Sequence, residues 1–299
     1  MFRTIYISKE NELTIKNNWL IIKSISSSDI HRIPLSDIQT IIIDNMQTMI
    51  STSTLYKFTE NGINTIFCNN KHLPYSNLLA INKHYRSPYV LNKQINLSDN
   101  MKNLIWSKII KGKINNQISV LKYYNIEELV ITKLNEFKNN ILPGDTTNRE
   151  AICSKIFFYQ LYGKNFKRFE DDTINIALNY GYSIIRSAIA RTLVAYGYNC
   201  SLGIHHKNQF NMFNLTDDLI EPFRPIVDLW VAKNKYDFNL TKTDRLSLVN
   251  LLNHEMLYNN KKYKVYIVID KYISKFTSCI NNNDINTFYL PKIFIENEK

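Results

Sequence analysis

Glycine and proline are scarce in this chain of 299 residues, with seven of each. That scarcity, with an apolar content of 44%, argues against a disordered or fibrous protein and for a well-packed globular one. The four cysteines, Cys68, Cys153, Cys200 and Cys279, stand far apart and form no C-x-x-C pair. A zinc ribbon is thereby excluded, and no disulfide framework is indicated. No uninterrupted apolar run approaches the ~20 residues of a membrane-spanning helix. The opening Met1-Phe2-Arg3-Thr4-Ile5-Tyr6-Ile7 runs straight into a strand-like pattern, without the organisation of a signal peptide. A cytoplasmic protein with no membrane partner is expected. Internal repeats and low-complexity tracts are also missing. Acidic residues are outnumbered, 26 against 37 basic ones, for a formal charge of +11, a balance that favours polyanionic partners and says nothing about fold. Tyrosine is frequent, at 19. Its rings belong either to the core and its rim or to base-stacking platforms.

The pattern along the chain predicts an α+β protein of two domains. Residues 1–80 read as β-rich. Leu13–Lys16 and Trp19–Lys23 flank Asn17-Asn18, a two-residue turn that tolerates positive φ. Asp37–Asp44 is β-branched and apolar, as a buried strand requires. Ser53–Asn61 has helical spacing, Gly62 stops it, and Ile63–Cys68 resumes as a strand. Between residues 81 and 97 the period is lost, and this stretch is read as a linker. After Ser98, a candidate N-cap, apolar residues recur at Met101, Leu104, Ile105, Ile109, Ile114, Ile118 and Leu121 with helical spacing. Residues 98–299 are accordingly expected to form a larger, all-α domain carrying the chemistry.

Chemistry-bearing side chains concentrate in His205-His206-Lys207-Asn208-Gln209 and in Asp217-Asp218-Leu219-Ile220-Glu221-Pro222-Phe223-Arg224-Pro225. Imidazole with carboxylates is a ligand set for a divalent cation, and oxygen donors with one imidazole suit Mg²⁺ or Mn²⁺. Pro222 favours a first helical position, which puts Glu221 at a helix entry with a fixed direction. Each residue also has a plain structural reading. Asp218 and Glu221 fit solvated surface acids, and Arg224 fits a structural ion pair as well as a brace for a ligand. Lys207 suits either a phosphodiester-contacting strip or a polar helix face. Adjacent His205 and His206 point about a quarter-turn apart on a helix, so they do not easily share one ion. Upstream, Thr147-Asn148-Arg149-Glu150 fits a capping box, with Glu150 reaching back to the N-cap amide.

The combination Asn148-Arg149-Glu150, then Ile174–Tyr182, then His206, then Asp218-x-x-Glu221-Pro222-Phe223-Arg224-Pro225 resembles the CRISPR-associated spacer-acquisition integrase family, the endonuclease subunit of CRISPR adaptation. The resemblance spans nearly the whole chain and is strongest to the version found beside single-effector (type II) systems. It implies Glu150, His206 and Glu221 as metal ligands and catalytic residues, selecting His206 over His205. Asp218 matches a further acidic position, and Glu221 stands where many members carry Asp. Mg²⁺ or Mn²⁺ is the implied cofactor.

The resemblance further implies a homodimer formed through the β-domain, acting on double-stranded DNA as captured spacer precursor and CRISPR repeat. Its implied partners are a small ferredoxin-like adaptation subunit, a ring-shaped DNA-end-binding protein and the effector nuclease. Three other readings compete: a non-catalytic nucleic-acid-binding protein of the same fold, a stand-alone nuclease for branched DNA, and a helical RNA-binding protein with Tyr platforms. No RNA motif supports the last.

Overall fold

The computed structural model describes residues 3–80, 85–234 and 240–295. Its contacts divide the chain into two compact units, Met1–Tyr85 and Arg86–Lys299.

The first unit strings together β1 (Arg3–Ile7), β2 (Asn11–Lys16), β3 (Trp19–Ser24), β4 (Ile30–Pro34), β5 (Ile38–Ile43), β6 (Met49–Ile50), α1 (Thr52–Glu60), β7 (Asn64–Cys68) and β8 (Pro74–Leu78). Asn17 and Asn18 both take positive φ, 52° and 61°, the turn that the β2–β3 hairpin demands. The strands form two sheets, ordered β1-β5-β7-β8 and β4-β3-β2-β6. In the first, β1, β5 and β7 run parallel, with Ile5 beside Ile41 and Ile41 beside Thr65. Parallel neighbours require crossovers, and α1 supplies the one between β5 and β7. Ser51 caps that helix by accepting from the Thr54 amide. Both sheets and α1 share one core built from Leu13, Leu20, Ile41, Ile43 and Phe58. Strand β8 pairs antiparallel with β7, in a stretch whose sequence shows no strand period.

The second unit is helical: α2 (Ser87–Ile95), α3 (Asp99–Tyr123), α4 (Glu128–Asn139), α5 (Arg149–Tyr162), α6 (Thr173–Ala195), α7 (Asn214–Leu219), α8 (Arg224–Lys233), α9 (Lys242–Asn250) and α10 (Val265–Asn282). Helix α2 corrects the linker expected over 81–97. Residues 81–84 lie outside the described chain, and Ser87–Ile95 is a helix of the second unit whose Gln94 is fixed between the carbonyls of Asn199 and Leu202. Nor is the unit wholly α. Strands β9 (Glu255–Tyr258), β10 (Lys261–Lys264) and β11 (Lys292–Ile293) form a small antiparallel sheet in the order β10-β9-β11.

Helix α3 runs through the interior, capped by Ser98, which accepts from the Met101 amide. Apolar residues cover most of its circumference, but Lys113, Asn116 and Gln117 are buried with them. Helices α6 and α8 touch at Gly181, where an added Cβ would lie 2.4 Å from a Val227 methyl. This contact sets how closely α8 approaches the unit's centre. No described helix is long and apolar enough to cross a membrane.

Candidate metal and nucleic-acid site

Three helices converge on a cavity of about 520 Å³ lined by Lys113 of α3, Glu150 of α5, and Glu221 with Arg224 at the start of α8. Glu150 is oriented from outside its own helix. Asn148 adopts a left-handed conformation, φ 51° and ψ 43°, and makes no side-chain cap. Asp145 closes the end instead, accepting from the amides of Arg149 and Glu150 at 2.9 Å each. The capping box expected at Thr147–Glu150 therefore does not form. With its amide served by Asp145, the Glu150 carboxylate turns to Lys113 Nζ and to the Ser154 hydroxyl at 3.0 Å.

Glu221 opens a short 3-10 turn, Glu221–Phe223, and α8 begins only at Arg224. The α-helix thus begins two residues later than Pro222 suggests. Asn116 of α3 pins that turn by donating to the carbonyls of Pro222 (2.7 Å) and Pro291 (3.1 Å). Glu221 is only 5% exposed. Its Oε1 accepts from Arg224 Nε at 2.7 Å. Its Oε2 lies 2.5 Å from Lys113 Nζ, in a buried ion pair. Burial alone would raise the Glu221 carboxyl; Arg224 and Lys113 outweigh it and hold the group at about 2. Lys113 behaves reciprocally. Burial works against its charge, but Glu221 and Glu150 prevail and raise its pKa.

His205 and His206 lie in the loop between α6 and α7, not on a helix. Asp218 organises this loop, accepting from the amides of Ile204 (2.5 Å), His205 (3.0 Å) and His206 (3.1 Å). It also engages His206 Nδ1 at 2.7 Å. Such a second bond fixes the tautomer and leaves Nε2 as the nitrogen with a lone pair for a ligand. The hydrogen bond to Asp218 raises the His206 pKa, and Glu221 stands near enough to add to that rise. Gly203 is required here, because an added Cβ would lie 2.3 Å from the His206 carbonyl and 2.9 Å from Asp218 Oδ2. His205 stacks on Trp106, centroids 4.1 Å apart and rings 2° from parallel, and its pKa is lowered by burial. Lys207 is exposed and lines a separate cleft with His206 and Phe210.

Glu150 and Glu221 are thus brought onto one cation, with Arg224 bracing the second; Asp218 serves His206. Among the described residues, no three His, Cys, Asp or Glu side chains are already grouped around one point. The donor chemistry nonetheless fits a hard divalent ion. Two carboxylates converge, and the ammonium paired with both shows that the spot attracts positive charge.

Several members of this cavity were not legible as functional in the sequence. Lys113, Gln117 and Ser154 form a polar run beneath Glu150. Their signal was polar residues at core-facing positions of α3: Lys113 and Gln117 fall on the stripe of Ile109, Ile110, Val120 and Leu121. Asp228 is fully buried and accepts from the Tyr182 hydroxyl, while Tyr162 donates to its carbonyl at 3.0 Å. Burial pushes the Asp228 carboxyl up to about 7, against the pull of the Tyr182 bond and of nearby Lys113.

The sequence profile of the CRISPR associated protein Cas1 family matches residues 5–151 and 161–250. A CRISPR-associated endonuclease Cas1 of Neisseria meningitidis serogroup C (strain 8013) is 32% identical, covering 98% of this chain and 96% of its own. The chain belongs to the Cas1 family. A Cas1 endonuclease of Francisella tularensis subsp. novicida is 25% identical over 87% of this chain and 90% of its own. Solved structures share the fold at lower identity. A Cas1 protein from Thermotoga maritima superposes with a TM-score of 0.76 at 15% identity, covering 93% of this chain and 97% of that one. A casposase bound to integration product gives 0.72 at 18% identity, covering 94% and 91%. The α+β architecture, β-rich region first and helical body second, is that of these Cas1 neighbours. The named relatives of this family are CRISPR-associated endonucleases.

Proposed function

We propose that this Cas1 protein is a divalent-metal-dependent integrase of CRISPR adaptation, holding Mg²⁺ or Mn²⁺ with Glu150, Glu221 and His206. The observation that carries the reading is the convergence of Glu150 and Glu221 on a single cation within the cavity. When bound, the ion supplies charge stabilisation for the phosphoryl oxygens at which negative charge builds.

The remaining tasks fall to side chains of this chain. Asp218 keeps His206 in the tautomer with Nε2 unprotonated, and Arg224 fixes the Glu221 carboxylate through Nε. Lys155, Lys164, Lys167 and Arg168 line the same cavity and supply positive charge for phosphodiester oxygens, largely without regard to base sequence. The nucleophile is the 3′-hydroxyl of captured DNA. Its oxygen forms a new bond to a repeat phosphorus while the bond to the repeat strand's own 3′-oxygen breaks, and that oxygen leaves with the proton. One phosphodiester is made for one lost, so no protein nucleophile is needed. All four cysteines are buried, and Cys153, next to the site, has its thiol pushed up to about 12 by burial.

Double-stranded DNA, a second copy of this chain and a small adaptation subunit are the partners this reading needs, in the type II setting. Two structural neighbours support it by their composition: one is a casposase with integration product, another a Cas6-RT-Cas1–Cas2 complex. The test is strand transfer of a short duplex with free 3′-hydroxyls into a supercoiled plasmid carrying a CRISPR array, with the small companion protein and Mn²⁺ or Mg²⁺. Joined products are expected with the native chain and lost in both His206→Ala and Glu221→Ala. Joining that survives both substitutions overturns the site. DNA binding without joining would favour the non-catalytic reading, and cleavage of branched DNA without joining the stand-alone nuclease.

A further inference from the structure

Lys113 is the best-buried cation facing the cavity, 7% exposed, and its ammonium contacts both glutamates. A lysine in the middle of an interior helix requires a reason, since an unpaired charge there is costly. Its reason is the pair of carboxylates. Glu150 reaches it from α5 and Glu221 from the turn before α8, so one ammonium ties together elements from three parts of the sequence. Without a counter-ion the two carboxylates would repel one another in a desolvated pocket.

We propose that Lys113 is the resident counter-ion of the metal site: it holds Glu150 and Glu221 together before a divalent cation enters, and it gives up that place when the cation binds. The inference rests on the metal-site reading above. An ion drawing oxygens from both carboxylates needs the space that the ammonium now fills, because two cations cannot share it at contact distance. The surroundings suit such an exchange. Lysine's charge sits at the end of a flexible stem, and the cavity beside it gives the stem somewhere to swing. Arg224 does not compete in the same way, since its planar fork is directed at Oε1 and braced against the Tyr182 ring at 4.6 Å. Lys113 is therefore a positioning residue in the metal-free state and a competitor in the loaded one.

Two substitutions push this exchange in opposite directions. Lys113→Gln keeps a polar, hydrogen-bonding side chain, one atom shorter, and removes the competing charge. Lys113→Arg keeps the charge and binds carboxylates by a fork that vacates less readily. Mn²⁺ affinity, read from the electron paramagnetic resonance signal of free Mn²⁺ in the full chain without DNA, should become at least about fivefold tighter in Lys113→Gln and about fivefold weaker in Lys113→Arg, the size of an ordinary coupling between two ligands. Melting gives a second readout. Metal-free Lys113→Gln should melt at least about 4 °C below the native chain and regain most of that loss in Mn²⁺.

Binding that depends on Glu221, shown by its loss in Glu221→Gln, but is unmoved by either lysine variant would overturn the exchange while leaving the metal site standing. If no Glu221-dependent Mn²⁺ binding occurs in any variant, the metal-site reading falls and takes this proposal with it. Should Lys113→Gln fail to fold, the arginine arm decides alone: affinity equal to or tighter than native would overturn the proposal.

Discussion

Glu221 and Asp228 line the same cavity, stand seven positions apart, one in the turn before α8 and one within it, and are almost equally buried, 5% and 1% exposed. They differ in what touches them. Glu221 meets Arg224 and Lys113 and is held ionised, at about 2, whereas Asp228 meets a phenol and is pushed to about 7 by burial. Burial penalises both charges alike; the neighbours decide. A carboxylate with a guanidinium on one oxygen and an ammonium near the other is ready for a hard cation. A carboxyl answered by one tyrosine is arranged to hold or release a proton near neutral pH. The cavity thus holds one acid ionised and moves the other's proton release toward neutral pH.

The largest effect should follow from erasing the charged member. Glu221→Gln leaves Arg224 and Lys113 buried with only Glu150 between them. Removing one partner of a buried ion cluster typically costs about 3–5 kcal/mol. Urea unfolding in metal-free buffer checks this, and a loss below about 1 kcal/mol would show that the three-way pairing is not what sustains Glu221 in its buried place.

Second in size is the protonated member. A folded-state pKa of about 7, well above the ordinary aspartate value of about 3.9, means the native chain keeps a proton that the unfolded chain has released. Between those values the native state binds more protons, so stability falls as pH rises from about 4 to about 7. A rise of that size is worth about 4 kcal/mol across the window. Asp228→Asn removes this slope and should gain on the native chain steadily from pH 4.5 to pH 7.5 in metal-free urea titrations. His206, whose pKa is also raised, loses its contribution in the same upward direction, but both chains carry it and the difference between them cancels it. Parallel curves would mean that Asp228 is ionised in the fold like Glu221, and the contrast between them would collapse.

Much of the fold was legible because it depends on local chemistry. The switch from a period of two to 3.6 located the helical body, and Asn17-Asn18 announced its hairpin. The same signature recurs at Asn259-Asn260, φ 50° and 59°, where it joins β9 to β10. It went unread there because four-residue strands carry too little period to stand out among helices. Caps show the same limit. A capping box fits the letters at Thr147–Glu150 but forms at Thr241–Asp244, since the left-handed turn at Asn148 hands the job to Asp145. The histidine and carboxylate cluster stood out by its residue types, while the choice of His206 over His205 and the ligand role of Glu150 came through family resemblance. Nothing local says that residues 113, 150 and 221 meet, because three separate elements must pack before one ammonium can touch two carboxylates. Lys113 was visible only as a charge on an apolar stripe.

A finer test asks whether Glu221 owes its state to charge alone or also to shape. Arg224→Lys keeps the positive charge but loses the planar Nε donor to Oε1 and the stacking on Tyr182. Lysine offers a point charge on a flexible stem, with no fork to match a carboxylate. The expected cost is small, about 1 kcal/mol, from one charge-assisted bond made less directional and one cation–π contact weakened. Mn²⁺ affinity should fall modestly as well, because Glu221 is then free to rotate toward Lys113. If Arg224→Lys matches the native chain in both stability and Mn²⁺ binding, charge alone maintains Glu221, and the difference between the two buried acids reduces to having a cation nearby. If it costs as much as Glu221→Gln, the guanidinium geometry is the principal restraint on the carboxylate, and Lys113 merely fills the space that Arg224 has already defined.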